Sequence, residues 1–171
     1  MISEETINHR VQDLADALNK EYKGKSLDIV CVLKGAMMFA SDLIRRLEPN
    51  VRLHFLQAIS YNTSTESSET VNLHFTSVFD IRDCNVLLVE DILDTGITLD
   101  YLVKHLQENA PQSVRICVLL DKPDRRKINI QADYVGFQIP DEFVIGYGLD
   151  YNEYGRNLRY IGVLDQSEYE K

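Results

Sequence analysis

Residues 86–100, VLLVEDILDTGITLD, begin as an apolar segment of strand length, pass three acids (Glu90, Asp91 and Asp94), cross Thr95-Gly96 and open a helix. The rest of the chain repeats this alternation. LDIVCVL (27–33) and SVRICVLLD (113–121) are apolar runs, and VRLHFLQAIS (51–60), VNLHF (71–75) and NVLLVE (85–90) are also strand-like. Ile7, Val11, Leu14 and Leu18 recur at helical spacing, which predicts a helix over 3–22 closed by Gly24. MMFASDLIRRL predicts a second helix stopped before Pro49, and residues 98–109 a third that ends before Pro111. DYVGF, FVIGYG and YIGVL supply short later β segments. Apolar strands alternating with helices predict an α/β fold, with a central, mainly parallel sheet covered by helices on both faces.

The 171 residues suit one domain, 1–171, with a single core and no internal repeat or linker. A composition 44% hydrophobic and 26% charged is that of a soluble globular protein. A formal charge of −9 argues against a general surface for nucleic acid or acidic membrane. No apolar stretch approaches the length of a membrane span. MISEETINHR has neither a basic nor an apolar leader region, so no secretory signal is expected. Cys31, Cys84 and Cys117, odd in number and set in or beside apolar runs, predict reduced thiols and a cytoplasmic protein. The four histidines are scattered and no Cys/His spacing suits zinc, which leaves oxygen ligands for any metal.

In open α/β sheets, ligands sit beyond the carboxyl ends of the strands. Three apolar strands here end in polar turns, LKGA, EDILDTG and LDKPDRR, and their convergence at one sheet edge marks the expected site. Thr98 is expected to cap the helix at 98–109. The Asp94–Thr98 turn then aims backbone N–H groups, with the hydroxyls of Thr95 and Thr98, at a point suited to phosphate. Glu90 and Asp91 close the strand and suit sugar hydroxyls or a divalent cation. A sugar phosphate satisfies both demands. Taken alone, the stretch also reads as an acidic loop with an ordinary Gly turn and N-cap. Likewise, Lys34-Gly35 alone is a common loop pair, and SYNTSTESSET (60–70) a polar surface loop. LLDKPDRR alone reads as a charged turn, and FVIGYGLDYNEYGR (143–156) as a buried strand with a Tyr-rich turn.

The full string is more specific. An apolar strand, two acids, two apolar residues, Asp-Thr-Gly, one residue and Thr resembles the phosphoribosyl-diphosphate motif of the type I phosphoribosyltransferases. A phosphorelay receiver also follows an apolar strand with acids, but in its first strand; here two apolar strands and two helices precede residue 86. Lys34-Gly35 is similar to the pyrophosphate loop of the hypoxanthine phosphoribosyltransferases, with Ala36 where some members have a second Gly. Ser60-Tyr61 resembles the start of that family's closing loop, a lid that keeps water from an oxocarbenium-like transition state. Lys122 resembles the lysine that reads the 6-oxo group of a purine, and 143–156 the purine and magnesium segment. Gly155 stands where many members carry a bulky residue.

The resemblance covers residues 27 to 164 or so and implies the family's fold, with a small hood and a mobile lid. It implies transfer of a phosphoribosyl group from phosphoribosyl diphosphate to hypoxanthine or guanine, with Asp94 as catalytic acid–base. Glu90, Asp91, Asp94, Thr95, Gly96, Ile97 and Thr98 would hold phosphoribosyl diphosphate, and Lys34, Gly35 and Arg156 its pyrophosphate. Ile92, Lys122, Phe143, Val144 and Asp150 would receive the purine. Mg2+ would sit at Asp150 and beside Glu90 and Asp91. The family's members form dimers and tetramers, which implies a homodimer or homotetramer. Some proteins of this fold instead sense phosphoribosyl diphosphate and bind nucleic acid, usually with a basic face or an added domain; this chain shows neither.

Overall fold

The computed structural model of the chain describes residues 1–61, 70–75 and 80–165, with 58–61 and 70–75 as strand backbone. Helix α1 (Glu4–Glu21) is capped by Ser3, whose side chain accepts the Thr6 N–H at 3.2 Å, and Glu4 and Glu5 complement the positive end of its dipole. Strand β1 (Ser26–Leu33) leads to α2 (Met37–Ile44), then β2 (Asn50–Tyr61) and β3 (Thr70–Phe75). Strand β4 (Asn85–Leu93), α3 (Ile97–Gln107), β5 (Ser113–Asp121) and β6 (Tyr134–Gln138) complete the main layer. Its strand order is β3-β2-β1-β4-β5-β6; β3 pairs antiparallel with β2 and all other pairs are parallel. A separate antiparallel ribbon joins β7 (Val144–Ile145) to β8 (Gly162–Val163).

The period-two side-chain alternation of the strands makes two cores. On one face Leu27, Ile29 and Cys31 of β1 and Leu87 and Val89 of β4 meet Val11, Leu14 and Leu18 of α1 and Phe39 and Leu43 of α2. On the other face Val30, Val32, Val86, Leu88, Ile116 and Val118 meet Leu99, Leu102 and Leu106 of α3. Burial of each large aliphatic side chain contributes about 1.5–3 kcal/mol, so the central strands are apolar on both sides. Cys31 and Cys117 lie buried among these residues, and burial pushes the Cys31 thiol up to about 12. They pack as small apolar groups.

Boundaries near the site differ from expectation. Helix α2 stops at Ile44, and turns at Arg46 and Leu47 carry the chain to Pro49. Strand β4 runs to Leu93, because Ile92 and Leu93 still pair with Leu120 and Asp121 of β5. Helix α3 begins at Ile97, with Gly96 at its N-cap (φ 87°), so Thr98 lies inside the first turn and does not cap it. Gly96 reaches the left-handed region without the penalty a side chain brings and starts the helix early. Ser60 and Tyr61 end β2; residues 62–69 of the expected lid lie outside the described residues.

Candidate active site

A cleft of about 500 Å³ lies at the carboxyl ends of β1 and β4. Lys34, Gly35, Glu90, Asp91, Ile92, Asp94, Thr95, Gly96, Thr98, Asp150 and Arg156 line it together. A second cleft of about 520 Å³ sits at the opposite sheet edge, lined by Lys25, Asp28 and Arg52 among others. Its buried Asp28 is already met by Arg52 Nε at 2.8 Å and His54 Nε2 at 2.7 Å. Parallel strands place ligands at their carboxyl ends, which favours the first cleft.

The phosphate-cradle candidate is the turn from Asp94 to Thr98. The N-cap Gly96 brings no side chain to α3, and the leading N–H groups of a helix have no intrahelical acceptor. Such a start suits an anion. The Thr95 hydroxyl accepts the Ile97 N–H at 3.4 Å. Behind the turn, the Lys127 and Ile128 N–H groups donate to the Thr95 carbonyl at 2.9 and 3.3 Å, and Arg126 donates to the Asp94 carbonyl. A Cβ at Gly96 would lie 2.6 Å from Ile130 Cγ2, so the wall that holds the turn also requires glycine there.

Glu90 and Asp91 close β4 side by side. Glu90 accepts the Asp91 N–H at 3.3 Å, and Asp91 accepts the Ile92 N–H at 2.8 Å. Burial, then the adjacent Asp91 charge, pushes the Glu90 carboxyl well above the usual carboxylate range; burial also raises Asp91. Two half-buried acids side by side form a site that a cation or hydroxyl donors would relieve.

Opposite them, the chain turns at Lys34-Gly35 through a cis Leu33–Lys34 peptide bond. Lys34 Nζ meets Glu153 Oε2 at 2.7 Å, and this ammonium holds the Glu153 carboxyl below its usual value. Arg156 Nη2 meets Asp150 Oδ1 at 2.8 Å, and its Nη1 donates to the Gly148 carbonyl at 2.9 Å. Asp150 Oδ2 in turn accepts the Glu153 N–H at 2.9 Å.

Of the expected purine residues, Ile92 and Asp150 are in the lining of this cleft. Ile97, expected at the phosphoribosyl diphosphate, opens α3 and is not in the lining. Lys122, Phe143 and Val144 are outside the lining. Lys122 is buried to 7% exposure, its N–H donates to the Leu93 carbonyl at 2.9 Å, and its Nζ lies 3.6 Å from Asp141 Oδ1. Phe143 is half-exposed and meets Tyr151 edge-on, with ring centroids 5.8 Å apart. Val144 is buried in β7.

Residues 3–152 match the family described as the phosphoribosyl transferase domain. A hypoxanthine-guanine phosphoribosyltransferase of Staphylococcus aureus is 46% identical over 169 residues, spanning 99% of this chain and 94% of that protein. A crystal structure of a Bacillus anthracis hypoxanthine-guanine phosphoribosyltransferase superposes with a TM-score of 0.92 at 42% identity, covering 96% and 97% of the two chains. A Staphylococcus aureus hypoxanthine phosphoribosyltransferase structure gives 0.93 at 45% identity, with 100% of this chain and 93% of that one covered.

This chain belongs to the hypoxanthine-guanine phosphoribosyltransferase family. It is therefore an enzyme of the type I phosphoribosyltransferase fold, as its strand order and helical layers also indicate.

Within that family frame, four charged residues escaped the sequence reading. Arg125 and Arg126, solvent-facing turn residues by sequence, both reach back to Asp94 at the end of β4. Arg125 Nε lies 2.8 Å from Asp94 Oδ1, off hydrogen-bond alignment, and its Nη1 lies 3.2 Å from Asp141 Oδ1. Arg126 pairs with the buried Asp121 as well as with the Asp94 carbonyl. Asp141 thus joins Lys122 to Arg125, and Glu153 faces Lys34. Apart from the Arg126–Asp121 pair, the partners lie many positions apart in the chain, and no local spacing announces them.

Proposed function

We propose that this enzyme serves purine salvage by transferring the 5-phosphoribosyl group of phosphoribosyl diphosphate to hypoxanthine or guanine, giving IMP or GMP and pyrophosphate. One observation carries the reading. An anion-seeking helix start, a pair of sugar-facing acids and a Lys-Gly loop converge in one cleft, in a chain 46% identical to a hypoxanthine-guanine phosphoribosyltransferase.

The substrate lies along the cleft in the order of its chemistry. The Thr95–Thr98 turn takes the 5′-phosphate, Glu90 and Asp91 the ribose hydroxyls, and Lys34, Gly35 and Arg156 the pyrophosphate. Ile92 and Phe143 flank the purine, and the Val144 backbone reads its edge. Purine N9 bonds to the anomeric carbon as the bond to pyrophosphate breaks, and Asp94 takes the N7 proton. Pyrophosphate leaves with its charge opposed by Lys34 and Arg156. Ser60 and Tyr61 begin the lid that excludes water.

Mg2+ fits this donor set. Among the described residues no cluster of three or more His, Cys, Asp or Glu forms a cage, and Mg2+ is commonly held by one or two carboxylates plus substrate phosphates. Asp150, and the Glu90–Asp91 pair whose carboxyls burial drives upward, would hold it. Bound there, it supplies neutralisation of phosphate charge. Homodimer or homotetramer assembly and a cytoplasmic location belong to the same proposal. No helix among the described residues is long and apolar enough to cross a membrane.

Lys122 tests the assignment of the base. An ammonium donates to a 6-oxo group and meets a competing donor in the 6-amino group of adenine. Lys122→Ala is expected to lower kcat/KM for hypoxanthine and guanine by about 10- to 100-fold, the worth of a hydrogen bond from a charged donor. Selectivity over adenine should fall with it. Steady-state kinetics on the three bases measure both, and undiminished selectivity removes Lys122 from this role.

A further inference from the structure

The turn that carries Glu153 is built against the ordinary preferences of its residues. Tyr151 and Tyr154 exchange backbone hydrogen bonds of 3.0 and 2.9 Å, leaving Asn152 and Glu153 as the two central residues. Both have positive φ, 49° and 69°. Two-residue turns with positive φ at both centres favour Asn followed by Gly. Asn152 follows that preference, whereas a glutamate at the second centre bears a backbone cost that glycine would avoid. Backbone strain of this kind persists where the side chain has a task.

The side chain goes to two cations. Glu153 Oε2 lies 2.7 Å from Lys34 Nζ, and its Oε1 lies 3.4 Å from Arg156 Nη2. These are the two cations assigned above to the pyrophosphate of the substrate. The Asp150 carboxylate, which accepts the Glu153 N–H at 2.9 Å, fixes the turn from below.

We infer that Glu153 is an internal competitor for the diphosphate: its carboxylate neutralises Lys34 and Arg156 in the empty cleft and must yield them when a diphosphate enters. This rests on the reading of the cleft as a diphosphate site. The contact gives Lys34 a counter-charge and adds a second one to Arg156, which Asp150 already meets at 2.8 Å, and it lowers affinity for the pyrophosphate product, which favours release. Lys34 and Glu153 are both more than half exposed, so the contact is weak enough to be displaced.

Titration calorimetry with inorganic pyrophosphate and Mg2+, on the full chain at low ionic strength, tests it. Glu153→Gln keeps the shape and removes the charge. Glu153→Gly removes the side chain and suits the backbone. Both are expected to tighten pyrophosphate binding by about two- to fivefold, the scale of a solvent-exposed ion pair, with the gain shrinking as salt screens it. In a Lys34→Ala background the gain from Glu153→Gln should be largely lost. An unchanged or weaker affinity in both Glu153 variants, with the wild type binding normally, overturns the inference alone. Absence of pyrophosphate binding in wild type and variants overturns it together with the diphosphate assignment.

Discussion

Asp94→Asn is expected to lower kcat by about 10²- to 10⁴-fold, the range spanned by loss of a positioned acid–base group, while binding of phosphoribosyl diphosphate survives. The separation follows from how the residue is held. The main chain at Asp94 is anchored from behind by Arg126, which donates to the Asp94 carbonyl, and the Thr95 carbonyl accepts two further N–H groups. None of these contacts uses the carboxylate. The carboxylate itself faces Arg125 at 2.8 Å without a hydrogen bond among the described residues. An amide of the same shape preserves the turn, and removes the proton acceptor together with the charge that faces Arg125. Pre-steady-state kinetics and a direct binding isotherm resolve the two quantities, and a kcat equal to that of the wild type excludes Asp94 as the base.

Gly35→Ala is expected to cut kcat/KM by at least about 100-fold, the cost of misplacing reacting groups by an ångström. The space for a side chain does not exist. A Cβ on Gly35 would fall 1.6 Å from Asp91 Oδ2 and 2.5 Å from Asp91 Cγ. Retreat in the other direction is closed, because the Cβ position of Gly148 lies 2.0 Å from the Gly35 carbonyl. The Lys34-Gly35 turn is thus held between the acid pair and the segment leading to Asp150. One added methyl group must displace the acids, the loop or both. Thermal denaturation of the variant beside its kinetics separates a displaced site from an unfolded chain. A folded variant with activity near wild type contradicts this packing.

Much of the architecture can be read from residue pattern, because burial on both faces leaves a continuous apolar signature. LDIVCVL became β1, and each face of that strand serves a different core: Ile29 and Cys31 one, Val30 and Val32 the other. The strand–turn–helix at 86–107 was equally legible, since an apolar strand, a glycine and an amphipathic segment are local signals. The misread cap at Thr98 has a local cause as well. A hydroxyl residue is the usual N-cap, and a left-handed glycine two residues earlier took that place. What stayed hidden depends on distance in the chain. The Arg125–Asp94 and Lys34–Glu153 pairs exist only because segments far apart in the chain end at one edge of the sheet. The cis bond before Lys34 also carries no signal, since such bonds are almost confined to the residue before proline.

The central claim is that one substrate spans the cleft from the α3 turn to the Lys34 loop and donates its phosphoribosyl group to a 6-oxopurine. Incubation of the protein with Mg2+, phosphoribosyl diphosphate and hypoxanthine, guanine, xanthine or adenine, with monophosphate and pyrophosphate quantified together, tests it directly. The expected result is IMP from hypoxanthine and GMP from guanine, each with one equivalent of pyrophosphate, and no AMP from adenine. Failure of every base to yield a monophosphate, in folded protein that binds phosphoribosyl diphosphate, would contradict it.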